Sequence, residues 1–285
     1  WRPLTFADVV GQGHITAALK NQVASGKTSH AYLFCGTRGT GKTTCAKILA
    51  RAVCCENLQE GDPCNACPSC LAVLSDSALD ISEIDAASNN GVDNVREIRE
   101  EALYAPSMLS HRVYIIDEVH MLSQGAFNAL LKILEEPPAH AVFILATTEI
   151  HKVPATILSR CQRYDFRRIL PEQIVSHLEY ITGQEGISLS RDAAHLIARL
   201  SDGSMRDAIS LLERAAGEGD DIGYDLVASS LGVAGRDMVC SLFEALLKGD
   251  AAGALEVFTQ SYLEGNDIIS LFDELLSLIR DIYIF

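Results

Sequence analysis

A glycine-rich octapeptide at residues 36–43 fits the pattern G-x-x-x-x-G-K-[ST] between an apolar run and a helical pattern. Glycines let backbone N–H groups turn toward phosphates, and the N-terminus of the next helix adds its positive dipole end. We expect Lys42 to reach the β- and γ-phosphates and Thr43 to bind Mg²⁺. The candidate nucleotide-binding residues of this loop are Gly36, Thr37, Arg38, Gly39, Thr40, Gly41, Lys42, Thr43 and Thr44.

Two adjacent carboxylates, Asp117 and Glu118, follow an apolar run. In a doubly wound sheet, this position lies at the carboxyl end of a strand and faces the nucleotide. Asp117 is therefore expected to complete the Mg²⁺ shell with Thr43, and Glu118 to polarise the attacking water. Acid pairs after a strand are also common in solvated turns, so it is the phosphate loop that favours the catalytic interpretation.

Four cysteines fall within sixteen positions, with the spacing Cys55-x₈-Cys64-x₂-Cys67-x₂-Cys70. Close Cys-x₂-Cys steps let two sulfurs reach one ion, which favours a tetrahedral Zn²⁺ site with a structural role. An iron–sulfur cluster is the alternative, although no Cys-Pro follows at the fourth place. The remaining cysteines are expected to pack as small buried hydrophobes: Cys35, Cys45, Cys54, Cys161 and Cys240.

Four short apolar runs alternate with helical patterns, which indicates a parallel sheet. They cover residues 31–35, 80–84, 112–116 and 142–146. From Pro171 onward the strand runs disappear and helical periods take over. A Gly- and Asp-rich stretch at 217–223 and the segment 232–235 mark breaks, and three further helices are expected at about 236–247, 251–262 and 268–285.

The 285 residues suggest two or three domains by size, and the formal net charge is −15. This charge argues against nucleic-acid binding by an overall positive field, so any DNA contact must be local or shared with partner subunits. No secretory leader or membrane-length apolar run is present, which predicts a cytoplasmic protein. Because the chain begins at Trp1 and ends in an apolar stretch, we expect it to be part of a longer protein.

The order of motifs resembles the AAA+ clamp loaders, and among them most closely the gamma/tau subunit family of bacterial DNA polymerase III. The motifs that carry the resemblance are Asp-Val-Val-Gly-Gln at 8–12, the phosphate loop, Asp-Glu-Val-His at 117–120, Ala-Thr-Thr-Glu at 146–149, Ser-Arg-Cys at 159–161 and Gly-Ser-Met-Arg-Asp at 203–207. The resemblance covers the whole chain and weakens after about residue 230. Its specific parts are Ser-Arg-Cys and the cysteine insertion, since many families share the phosphate loop.

The resemblance implies a role for each matching residue. Thr148 is implied as sensor 1, a hydroxyl at the end of a strand that reports on the γ-phosphate. Arg206 is implied as sensor 2, which the helical lid brings to the same nucleotide. Arg160 is implied as an arginine finger that completes a neighbouring subunit's site, where it would stabilise transition-state charge. The alternative is a purely structural role, in which both arginines cap helices at the surface and Thr148 is simply a hydroxyl at the end of a strand. The segment that is implied to line the adenine pocket comprises Val9, Val10, Gly11 and Gln12, and core packing of the two valines accounts for it equally well.

Two further surfaces follow from the same resemblance. The loop that leads into a helix near residue 92 is implied to face primer–template DNA. The implied contacts are Ser88, Asn89, Asn90 and Arg96, whereas the negative charge of Asp93 would oppose DNA binding. The last helix carries an apolar face that would be exposed if the chain stood alone, which suggests part of an oligomerisation collar. This face comprises Ile269, Leu271, Leu275, Leu276, Leu278 and Ile279.

The sequence therefore predicts an α/β P-loop AAA+ domain at 1–168 with a Cys₄ zinc module at about 54–71. A helical lid at 169–232 and a partial collar at 233–285 would follow. The implied function is that of an ATP-driven clamp loader subunit that uses ATP, Mg²⁺ and Zn²⁺. Its implied partners are other clamp loader subunits, the sliding clamp and primer–template DNA, with polymerase core and replicative helicase reached through a C-terminal region. The alternatives are a non-catalytic nucleotide-binding scaffold and another AAA+ DNA motor of the helicase or recombination type.

Overall fold

The computed structural model describes residues 1–231, 236–263 and 267–284. It divides into two compact units. The first comprises Trp1–Gln173 with Gly203–Arg206, and the second comprises Ile174–Asp202 with Asp207–Phe285. In these described ranges, no helix combines the length and the apolar character needed to cross a bilayer.

The first unit contains a five-stranded parallel sheet in the order β2-β3-β4-β1-β5. Its strands are β1 (Ala31–Cys35), β2 (Ile81–Asp85), β3 (Arg112–Asp117), β4 (Ala141–Thr147) and β5 (Gln162–Asp165). Every residue of β1 and β4 is buried, as expected where helices cover both faces of a parallel sheet. The predicted parallel α/β class is confirmed.

Helices on the two faces of the sheet enclose two hydrophobic cores. In this unit the helices are α1 (Gly13–Ala24), α2 (Lys42–Cys54), α3 (Pro68–Leu74), α4 (Val92–Ala102), α5 (Gln124–Glu135) and α6 (Ala155–Leu158). Because side chains alternate across a strand, Tyr32 and Phe34 of β1 belong to the core that includes α2, whereas Leu33 belongs to the core that includes α4 and α5. Both cores thus fix the carboxyl ends of the central strands.

The fifth strand differs from the sequence expectation. Only Tyr164 of β5 is buried, so this edge strand lacks the apolar run by which the other strands were found. Its pairing with β1, with Tyr32 opposite Gln162, supplies what its composition does not. The expectation that strands end at Pro171 is also wrong, because β6 (Ser188–Leu189) pairs in parallel with β7 (Asp221–Ile222).

Apart from β6 and β7, the regular structure described after residue 170 is helical. Its helices are α7 (Pro171–Glu185), α8 (Arg191–Leu200), α9 (Met205–Ala216), α10 (Tyr224–Leu231), α11 (Arg236–Lys248), α12 (Ala251–Leu263) and α13 (Ile268–Ile284). The predicted helices at 236–247, 251–262 and 268–285 are confirmed, whereas the predicted break at 232–235 and the final Phe285 lie outside the described residues.

The apolar face of α13 is only partly exposed. Leu271 and Leu275 are buried in a small core with Val239 and Leu242 of α11, which corrects the expectation that the whole face would be free. Ile269 and Leu276 remain 71% and 63% exposed. Cys240 of α11 is exposed rather than buried, because it lies on the surface of this helix away from that core.

Candidate active site

The phosphate loop connects β1 to α2 and is fixed at both ends. Gly36 N–H donates to the Thr147 carbonyl of β4 at 3.2 Å, and α2 begins directly after Gly41. Gly36, Gly39 and Gly41 have φ of +148°, +75° and +100°, a region that favours glycine. A Cβ on Gly36 would also overlap the Phe166 carbonyl. The glycines are therefore needed for both conformation and space.

The Lys42 amine lies within the curve of this loop. Its Nζ donates to the carbonyls of Gly36 and Thr37, both at 2.8 Å. Burial lowers the pKa of Lys42, while Glu118 and Asp117 act in the opposite direction. A cation held in this position can exchange two carbonyl acceptors for phosphate oxygens without a change of backbone.

Thr43 and Asp117 meet at the start of α2. Thr43 Oγ1 donates to Asp117 Oδ2 at 2.7 Å. Adjacent ligands of an octahedral Mg²⁺ at 2.0–2.1 Å stand about 2.9 Å apart, so this pair of oxygens fits two positions around one such ion. The other carboxylate oxygen, Oδ1, accepts the Glu118 N–H at 2.9 Å, which fixes the orientation of the carboxylate.

Glu118 has a left-handed backbone, with φ 47° and ψ 45°, which is uncommon for a residue other than glycine. Its Oε2 accepts hydrogen bonds from Thr148 Oγ1 at 3.0 Å and from Thr148 N–H at 3.3 Å. The structure therefore joins the end of β3 to the end of β4 through these two side chains.

His120 takes part in the same network, although the sequence analysis assigned it no role. Its side chain is 5% exposed, and Nδ1 lies 3.0 Å from Thr147 Oγ1 and 3.4 Å from Glu118 Oε2. Nε2 lies 3.3 Å from Glu149 Oε1. The only signal in the sequence was its place three residues after Asp117.

Two segments distant in sequence contact the phosphate loop. Met205 N–H donates to the Gly39 carbonyl at 3.1 Å, so Arg206, whose side chain is exposed, follows a residue that is bonded to the loop. On the N-terminal side, Gln12 Nε2 donates to the carbonyls of Arg167 at 2.7 Å and Thr40 at 3.4 Å. Val9 and Val10 are half-buried, and Val9 Cγ1 lies within 4 Å of the position that a Cβ on Gly41 would occupy.

Arg160 lies apart from the residues of the phosphate loop. Its guanidinium contacts Glu135 Oε1 at 2.7 Å and the Thr156 carbonyl at 2.8 Å, at the junction of α5 and α6. Two of the residues predicted to contact DNA bond to acidic residues in their own loop or helix. Ser88 donates to Asp85, and Arg96 forms an ion pair with Asp93 at 2.9 Å.

The four clustered cysteines converge. The sulfurs of Cys55, Cys64, Cys67 and Cys70 all lie within 4.8 Å of one another. Four sulfurs bound at about 2.3 Å to one tetrahedral Zn²⁺ stand about 3.8 Å apart, so the set fits a single ion. Backbone amides of Ala66 and Cys67 lower the pKa of Cys64 to about 6, which favours the thiolate that a metal needs, whereas burial raises the pKa of Cys55 and Cys70.

Three family models match the chain in succession. Residues 11–170 match "DNA polymerase III, delta subunit", residues 173–221 match "DNA polymerase III clamp loader subunit, ATPase lid domain", and residues 222–285 match "DNA polymerase III subunits gamma and tau domain III".

Curated proteins match over the whole chain. It is 47% identical over 286 residues to DNA polymerase III subunit tau of Bacillus subtilis, covering 100% of this chain and 51% of the relative. It is 42% identical to subunit tau of Escherichia coli, covering 99% of this chain and 44% of the relative. The chain thus spans about half the length of these relatives.

Among solved structures, the chain is similar to a RuvB Holliday junction branch migration motor from Thermotoga maritima. The TM-score is 0.60 at 19% identity, and the match covers 86% of this chain and 79% of that one. At this identity the likeness concerns the fold alone.

Proposed function

The chain belongs to the family of DNA polymerase III clamp loader subunits gamma and tau, and from this premise we propose that it hydrolyses ATP to drive loading of a sliding clamp onto primer–template DNA. The observation that carries the proposal is the 2.7 Å contact between Thr43 and Asp117 beside the buried Lys42 amine. A metal-binding oxygen pair and a phosphate-binding cation thus share one loop, with the Glu118 carboxylate on the adjacent residue.

Each residue of the site has a separate task in this proposal. Lys42 binds the β- and γ-phosphates, and Thr43 and Asp117 hold the metal ion. Mg²⁺, when bound, supplies positive charge for the phosphate oxygens as the bond to the leaving group breaks. Glu118 orients the attacking water and accepts its proton. Thr148 acts as sensor 1 of the γ-phosphate, and its hydrogen bonds to the Glu118 carboxylate support this role.

Three further assignments complete the proposal. Arg206 senses the γ-phosphate from the first turn of α9. The hydrogen bond from the N–H of the preceding residue, Met205, to the Gly39 carbonyl supports this assignment. Arg160 is assigned to a neighbouring subunit's site because its Ser-Arg-Cys motif resembles that of the family, and within its own chain it contacts Glu135 and Thr156. Val9 and Val10 line the adenine pocket, which the proximity of Val9 to Gly41 supports.

The cysteine module is proposed to hold structural Zn²⁺. All four of its ligand positions are filled by sulfur, which leaves no open position for catalysis. The separation of the sulfurs supports zinc over an iron–sulfur cluster, because the four cysteines of a cluster are spread over two or four iron atoms and not all of their sulfurs can then stand so close together.

The rest of the chain is proposed to form a lid over the nucleotide and part of an oligomerisation collar. We assign residues 169–232 to a lid and 233–285 to part of a collar that contacts other clamp loader subunits. The exposed Ile269 and Leu276 of α13 support the collar assignment. Sliding clamp and primer–template DNA are the proposed partners of the assembled complex, and a DNA contact near α4 would need cations from neighbouring subunits because Arg96 is already paired.

The variant Glu118→Gln tests the catalytic part of this proposal in the assembled clamp loader. ATP turnover is expected to fall by about a hundredfold or more, because the general base is lost, while ATP affinity stays within about twofold. The control is Glu136→Gln, an exposed glutamate just after α5, which should leave turnover unchanged. Equal turnover of the two variants would favour a scaffold that binds nucleotide without hydrolysing it.

A further inference from the structure

A tight turn within the cysteine module presents one buried carboxylate to the rest of the unit. Gln59 and Asp62 exchange two backbone hydrogen bonds of 2.9 Å, and Glu60 and Gly61 between them have φ of +51° and +89°. Positive φ at both central residues is typical of a type I′ turn, whose conformation is narrowly defined. Cys55 and Cys64 flank this turn, so a metal bound to them would hold its two ends.

The Asp62 carboxylate contacts residues outside the module, in α1 and in residues 4–12, which we call the N-terminal segment. Its Oδ1 accepts the Phe6 N–H at 2.7 Å, and its Oδ2 forms an ion pair with Lys20 of α1 at 2.8 Å. Gly61 packs so closely on α1 that a Cβ there would overlap the Lys20 carbonyl oxygen. The carboxylate is thus held on both sides.

A second pair of contacts fixes the same segment two residues earlier, at Leu4. Asn65, also in the module, donates to the Leu4 carbonyl at 3.3 Å, and Arg51 of α2 donates to the same carbonyl at 2.6 Å. Within the segment, Asp8 Oδ2 accepts the Thr5 N–H at 3.0 Å and the Thr5 hydroxyl at 2.7 Å. The segment is therefore a compact turn anchored by the module.

The same segment continues directly to the nucleotide site. Phe6 is 1% exposed and belongs to the core that includes α2, and Val9 packs against that core beside Gly41 of the phosphate loop. Gln12 then bonds the Thr40 carbonyl. Gln12, which contacts the phosphate loop, therefore lies only six positions after Phe6, which contacts Asp62.

We propose that Asp62 is a positioning residue for nucleotide binding, through which the cysteine module holds residues 4–12 against the phosphate loop. The module then sets the affinity for the adenosine part of the nucleotide, in addition to any contribution to folding. This inference rests on the nucleotide site proposed above. Asp62 itself touches neither nucleotide nor metal.

The test compares Asp62→Ala, which removes both contacts, with Asp62→Asn, which keeps an oxygen acceptor for Phe6. Binding of ATP and of inorganic tripolyphosphate is measured by calorimetry on the full chain, with bound zinc measured in parallel. Asp62→Ala is expected to weaken ATP binding on the order of tenfold with tripolyphosphate binding unchanged, and Asp62→Asn to stay within about twofold of the parent chain. A role confined to folding would not separate the two ligands.

The control is Glu56→Ala, which removes a 2.6 Å hydrogen bond with Ser69 inside the module and leaves residues 4–12 untouched. Should Asp62→Ala fold poorly, chelation of zinc from the parent chain takes its place, with the same selective loss of ATP affinity expected. ATP affinity that is unchanged by Asp62→Ala, or by chelation that removes the metal, overturns the inference. A parent chain that binds no ATP instead refutes the proposed function.

Discussion

His120 illustrates how the chemistry of this site depends on a residue that contacts neither metal nor phosphate in our proposal. Its ring lies between Thr147 and Glu118 on one side and Glu149 on the other, and it is almost fully buried. Since Glu118 has a left-handed backbone, its side chain direction depends on such neighbours. His120 is therefore expected to hold the Glu118 carboxylate in the orientation in which it can accept a proton from the attacking water.

Replacement of His120 tests this at the level of one side chain. His120→Ala is expected to lower kcat for ATP hydrolysis by about tenfold to a hundredfold, because a misplaced base costs rate, while KM stays within about twofold. His120→Asn, which retains a side-chain donor, should recover part of kcat. The matched control is His151→Ala, because His151 also contacts Glu149 at 3.5 Å but is 72% exposed. Similar losses in both histidine variants would contradict the assignment.

At the scale of elements, Asp80 connects the start of β2 to the loop before β3, the strand that ends in Asp117. Its carboxylate accepts the N–H groups of Ser107, Met108 and Leu109 at 2.8, 2.7 and 2.9 Å. Burial alone would raise the pKa of Asp80, but these hydrogen bonds outweigh it and hold the pKa at about 2. The loop is thus fixed by one ionised side chain.

The stability of the first unit should depend on this carboxylate in a pH-dependent way. The folded pKa of about 2 lies below the reference value of 3.8, so the contribution is complete above pH 4 and is lost as pH falls toward 2. Asp80→Asn is expected to lower the free energy of unfolding by about 2 kcal/mol at pH 7, with a smaller difference at pH 3. Urea denaturation at both pH values measures this.

A control separates this effect from loss of surface charge. Asp93→Asn removes an exposed carboxylate that is paired with Arg96 and should change the free energy of unfolding by less than about 0.5 kcal/mol. If Asp80→Asn lowered the free energy of unfolding by the same amount at both pH values, the loss of stability would have a cause other than the loss of the ionised carboxylate.

At the scale of the whole molecule, the role proposed for Arg160 requires an assembly of subunits. In the single chain it is held by Glu135 and Thr156. We expect Arg160→Ala to reduce turnover of the assembled clamp loader by about 10³-fold and to leave the isolated chain, whose turnover we expect to be slow, unaffected. ATP affinity should remain within about twofold in both cases.

The matched control for this prediction is Glu135→Gln, which weakens the ion pair of Arg160 but keeps the guanidinium. Its assembled turnover should match that of the parent chain. An equal fractional loss in the isolated chain and in the assembly would show that Arg160 acts in its own subunit.

Local sequence patterns determined the phosphate loop, the central strands and the cysteine spacing. Each depends on neighbouring residues, because glycine sterics, strand burial and Cys-x₂-Cys geometry act over a few positions. The predicted α/β class followed from the same patterns. The exposed fraction of α13 did not, since Leu271 and Leu275 are buried by a separate helix.

Only the tertiary structure decided the contacts between residues far apart in sequence. The polar strand β5 exists because β1 offers it backbone partners, and Asp62 lies 56 positions from Phe6, to which it is bonded. His120 lies within hydrogen-bonding distance of Thr147 because β3 and β4 are neighbours in the sheet, which brings their carboxyl ends together. Hydrogen bonds of this kind depend on the packing of whole elements, and no local composition encodes that packing.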